Sequence, residues 1–190
     1  MCCRDLLVVF RHEGDEFILQ KEDIKLNRYH REMPNQSVVD FVSKENHYHV
    51  GLFFEFLQIG EIPTNFEDQI RIFQILKEWD GNCSLLDSFQ NCIEELPLDG
   101  YVLHLNNMYQ IKLGCLYIIS PVFQEFCHKN PKEIFAFDPI YSPEAIECFL
   151  NFVNNRVVQY ELCEINELLS LCEYLGCSSQ CSFLIKRFAE

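Results

Sequence analysis

Glycine is scarce in this chain, and its seven copies stand singly. No Gly-rich loop is therefore available to cradle a phosphate on backbone N–H groups. Basic residues are also few, 15 Lys and Arg against 29 Asp and Glu, for a formal charge of -14. Both halves share the imbalance, with 9 against 18 before Pro97 and 6 against 11 from there on, and neither gathers its Lys and Arg into a patch. That argues against binding nucleic acid or an anionic membrane by charge. The acidity either keeps an aromatic-rich chain soluble or faces a basic partner. No run approaches the roughly 20 apolar residues needed to span a bilayer. After Met1–Asp5 only five apolar residues precede Arg11, too few for a secretory core, so a cytoplasmic or nuclear location is expected.

Cysteine, by contrast, is plentiful, with 11 copies. In a reducing compartment these read as free thiols, and Cys148, Cys163 and Cys172 fall where a helix takes small apolar side chains. Adjacent Cys2 and Cys3 offer a dipeptide of the kind that accepts palmitate.

The most informative pattern is a repetition. Shifted by 96 positions, Val50–Trp79 falls on Ile146–Leu175 without a gap, and 13 of the 30 aligned positions are apolar in both stretches. Chance placement of the 15 and 18 apolar residues would give about 9. Leu6–Phe10 and Phe17–Leu19 open the first half as Tyr101–Leu105 and Tyr109–Ile111 open the second. Each half thus reads as two short strands, a helix, a third strand and further helices. Pro97 and Gly100 bracket the expected boundary, giving modules at 1–97 and 98–190.

In the second half, Ser120-Pro121 and Ser142-Pro143 are helix starts, since the hydroxyl caps and proline does not need its missing N–H in the first turn. Ile134–Phe137 is expected to be the third strand. Ile146, Phe149, Leu150 and Val153, then Ile165, Leu168, Leu169 and Cys172, follow helical spacing, with Gly176 as a left-handed cap and a last helix over Cys181–Phe188. In the first half, Ser37–Phe41 is matched to the Ser120–Phe123 helix start. Phe66, Ile70, Ile72, Phe73 and Leu76 form the inward row of another helix, which Trp79 ends as a core or module-contact residue.

The second half resembles a BTB/POZ domain. Tyr109, Ile111, Ser120, Phe123, Phe149, Phe152, Asn166, Leu168, Leu169 and Leu175 stand at that family's core positions, from about Asp99 to Phe188. The first half, Asp5 to roughly Cys92, is similar more weakly. The fold so implied is α+β, two tandem BTB/POZ-like modules, each a small three-stranded sheet capped by helices. The resemblance implies a protein-interaction module that dimerises or recruits a larger protein, including as substrate adaptor of a cullin-based ubiquitin ligase. Where the family often has histidine after the second strand, this chain has Gln20 and Lys112. The two modules are expected to pair as an intrachain pseudo-dimer, with a homodimer as the other option.

Reactive constellations are thin, so no catalytic, cofactor or metal residues are assigned. Cys127-His128 are helix neighbours that project about 100° apart and do not form a dyad unaided. Cys172, Cys177 and Cys181 lack a CxxC knuckle. His47 and His49 share a side only if that stretch is a strand. A thiol or zinc-dependent enzyme is the rival reading. Phe10, Phe54, Tyr101, Tyr117 and Phe188 lie outside the strictest inner rows and are the candidate interaction surface, although filling a contact between the modules would serve them equally.

Overall fold

A computed structural model describes residues 7–155 and 165–177. The chain is α+β and divides into two compact units, Met1–Cys92 and Ile93–Glu190.

The first unit opens with an antiparallel hairpin, β1 (Leu7–His12) and β2 (Asp15–Gln20), closed by the pair His12–Asp15. The two residues between them, Glu13 and Gly14, have φ of 48° and 101°. Two left-handed residues give the turn that matches strand twist, and glycine supplies the second at no steric cost. A short helix, α1 (Asn27–Glu32), leads to β3 (Val38–Asp40), which lies parallel to β1, so the sheet order is β2-β1-β3. Three helices of 13 residues follow, α2 (His47–Ile59), α3 (Phe66–Glu78) and α4 (Cys83–Glu95). The division between units falls within the last turn of α4.

Two expectations change here. Ser37–Phe41 carries β3 instead of starting a helix, because Val39 and Phe41 alternate inward with exposed Val38 and Asp40. His47–His49 is helical, started by Asn46, whose side chain accepts from the His49 backbone N–H at 3.0 Å. Residues two apart on a helix diverge, so these histidines cannot act as a pair.

An aromatic cluster fills this unit. Phe41 stacks on Trp79 at 4.3 Å and meets Phe10, Phe53 and Phe54 at 4.9–6.1 Å. The Trp79 indole N–H donates to the Val42 carbonyl at 3.1 Å, and Arg28 lies 5.0 Å above its ring. Each such side chain contributes about 1.5–3 kcal/mol on burial.

The second unit begins with the hairpin β4 (Gly100–His104) and β5 (Asn107–Ile111), closed by His104–Asn107. Helices α5 (Leu113–Ile119) and α6 (Pro121–Lys129) follow. Ser120 caps α6 as its sequence predicts, accepting from the Phe123 N–H at 3.1 Å while donating to the Leu175 carbonyl at 2.8 Å. The expected third strand contracts to a single parallel bridge, Leu103–Ala136. Leu103 donates to Phe135 and Phe137 to Leu103, both at 2.8 Å, between the turn at Asn130–Glu133 and Pro139. Then come α7 (Pro143–Asn155) and α8 (Ile165–Tyr174), joined where Ser142 Oγ donates to Glu167 at 2.8 Å. Gly176 has φ 73°, as its left-handed cap requires. The expected last helix, together with Cys2, Cys3, Cys163, Cys181 and Phe188, lies outside the described residues.

Among the described residues no helix is long and apolar enough to cross a membrane.

Candidate functional site

The strand period of two sorts each sheet into an inner and an outer face. In the second unit Val102, His104 and Ile111 point inward and are buried, as are Phe135 and Phe137. Their neighbours face out: Tyr101, 47% exposed, Met108, 56%, and Ile134, 52%. Pairing sets these side by side, since Leu103 lies opposite Met108 on one flank and Ala136 on the other. Tyr101 lies opposite Gln110, whose amide donates to the tyrosine hydroxyl at 3.1 Å. The outcome is an apolar surface across the hairpin with a polar tether at one corner. β5 is an edge, with β4 as its single partner among the described residues. A strand edge leaves backbone N–H and C=O groups to other partners, and α7 takes part of this one, since Asn154 donates to the Gln110 carbonyl at 3.2 Å and accepts from the Lys112 N–H at 3.0 Å.

The first unit's outer face is mixed. Ile18 and Val38 flank Val9 in an apolar row, and the next row is charged, Arg11 between Glu16 and Asp40. The Arg11 guanidinium pairs with Glu16 at 2.9 Å, both well exposed. An open cleft of about 540 Å³ lies between the β1–β2 turn and Asp40–Ser43.

Of the residues expected at the surface, Tyr101 alone is both described and exposed. Phe10 and Phe54 are fully buried in the aromatic cluster, 5.4 Å apart, and Tyr117 is buried beside Phe123 and His128. These three rings are core: residues from other elements of the first unit enclose Phe10 and Phe54, and the next helix, α6, covers Tyr117. Leu103, Met108 and Ile134 were missed, although the alternation of Tyr101–His104, Met108–Ile111 and Ile134–Phe137 carried their signal.

The reactive candidates are spread apart. Burial pushes the Cys127 thiol up to about 11, so it is a protonated thiol at neutral pH and a poor nucleophile. His128 points to the Tyr117 hydroxyl at 3.5 Å. Cys177 Sγ donates to the Cys172 carbonyl at 3.3 Å, both buried. His49 is held by Asp68 at 3.1 Å, with Glu45 at 3.9 Å, beyond hydrogen-bond reach. Tyr48 donates to the same Asp68 at 3.2 Å, and that carboxylate raises the phenol pKa. This cluster ties α2 to α3. His47 turns elsewhere, to Asp15 at 2.9 Å.

No protein-family model matches the chain, and no curated protein matches it.

Proposed function

We propose that this chain is a non-enzymatic protein-interaction module of BTB/POZ-like build, two units of one plan that offer their outer sheet faces to other proteins. The observation that carries this reading is the exposed Tyr101–Met108–Ile134 surface of the second unit, bordered by a strand edge that α7 covers only in part, at Gln110 and Lys112. Aromatic and Met side chains are favoured at interface cores, and unpaired strand edges are docked by extended segments of partners. Supporting the two-unit plan, each unit has a hairpin whose first strand takes a parallel segment after a helical crossover, followed by paired helices.

The partner is a protein, either a second copy or a larger assembly of the cullin type. Light scattering over a concentration series separates these. A mass that doubles with concentration, and that Met108→Asp holds at one chain, assigns the surface to self-association. A constant single-chain mass assigns it to a different protein. Binding of a captured partner that survives both Tyr101→Asp and Met108→Asp, in variants with unchanged circular dichroism, would overturn the proposal.

A further inference from the structure

The geometry points to a divalent transition-metal site of the zinc class in the first unit, formed by His12, Glu13 and His47. It stands independently of the interaction reading. One ligating atom from each residue lies within 4.8 Å of the other two. Ligands about 2.1 Å from a tetrahedral zinc sit about 3.4 Å apart. Closing that gap asks a shift of roughly 1 Å, within the freedom of Glu13 and His47, whose side chains are exposed.

Tautomers decide which nitrogens are free. His12 is buried, 8% exposed, and its Nδ1–H donates to the Phe41 carbonyl at 2.8 Å. A neutral ring then has its lone pair on Nε2, and that atom is buried with no hydrogen-bond partner among the described residues. An orphaned imidazole nitrogen in a core costs free energy unless something occupies it. His47 repeats the arrangement. Its Nε2–H donates to Asp15 Oδ2 at 2.9 Å, which leaves Nδ1 as the ligand. The rings lie parallel, 7° apart in plane, with centroids 6.1 Å apart. A carbonyl or carboxylate that fixes the outer nitrogen while the inner one ligates is the usual support of a metal-bound histidine.

Two imidazoles and a carboxylate suit zinc, and they leave the fourth position to water. A cation beside the first turn of α2 is opposed by the helix dipole, and the Glu13 and Asp15 carboxylates offset that. The ion would clamp the β1–β2 turn to the start of α2. At the matching turn of the second unit, Leu105 and Asn107 stand where Glu13 and Asp15 do, after the buried His104.

The test uses the full chain, stripped with chelator and titrated with zinc by calorimetry, and with cobalt(II) by visible absorption. One ion per chain is expected, with a tetrahedral cobalt spectrum free of thiolate charge transfer. Glu13→Gln and His47→Gln alter exposed side chains, so folding is not at stake, and each should weaken binding by at least roughly 100-fold. No binding by the natural chain, binding that both variants keep, or a sulfur-to-cobalt band would overturn the assignment.

Discussion

The two hairpins close alike and end in different chemistry. His12 pairs with Asp15, and His104 with Asn107, across two-residue turns that start with a left-handed non-glycine residue, Glu13 at φ 48° and Leu105 at φ 53°. Both histidines are buried. In the first unit carboxylates and His47 gather around the turn, while in the second Leu105 is half exposed and neither His104 nitrogen has a hydrogen-bond partner among the described residues. The helical layers show the same division. α2 and α7 are 13 residues each, 96 positions apart at both ends. Val50 and Ile146, Phe53 and Phe149, and Ile75 and Leu171 are buried in step. Yet α2 meets α3 through His49 and Asp68, whereas α7 meets α8 through Ser142 and Glu167. Apolar positions define the plan of each unit, and polar joints are private to it.

The sharpest way to break this comparison is at the base of each core. Trp79→Ala should cost about 3–5 kcal/mol, because it removes the Phe41 stack, the Val42 hydrogen bond and the Arg28 contact together. Leu175→Ala, at the matching position, should cost nearer 2–5 kcal/mol. Denaturant unfolding followed by circular dichroism reads both, and Trp79 fluorescence in the Leu175 variant reports the first unit alone. Equal losses would show that the indole's polar contacts contribute nothing.

Next is the entry to β4. A methyl on Gly100 would lie 2.2 Å from Leu113 Cδ1 and 2.4 Å from Cγ. Gly100→Ala should therefore cost about 1–3 kcal/mol by overpacking in the second unit. In the first unit, Gly51 has open space where its Cβ would be and sits mid-helix in α2, so Gly51→Ala should be neutral or stabilising. Chemical denaturation measures the pair.

The orphaned histidines give a change of opposite sign. His104→Leu removes two unpaired polar atoms from the second core and should raise stability by about 1–3 kcal/mol. His12→Leu deletes the Phe41 hydrogen bond and should not stabilise.

The smallest effect is alkaline. Burial raises the Cys127 thiol from the ordinary 9.0 to about 11, so the fold favours the neutral form. Its contribution is intact below pH 9 and is lost as pH climbs towards 11, a slope that Cys127→Ala should flatten in a pH series of unfolding midpoints. Alkylation at neutral pH should modify exposed Cys83 before Cys127.

Much of the framework was legible from local patterns. Period-two and helical rows placed the hairpins and α7, and Ser120 with Pro121 marked α6, because capping and burial are decided within a few residues. The surface was not. Phe10, Phe54 and Tyr117 lie outside strict inner rows in sequence, but their burial depends on partners from β3, α2 and α6. His12 and His47 meet only because the hairpin turn folds over the start of α2, and no spacing along the chain records that.

The decisive measurement is partner capture by the full chain carrying Met108→Asp, set beside Ile18→Asp on the first unit's outer face, with circular dichroism confirming both folds. Loss of the bound protein, or of the self-associated mass, in the Met108 variant and its retention in the Ile18 variant is the expected result. Undiminished binding by Met108→Asp would contradict the claim that the second unit's apolar sheet face is the recognition surface.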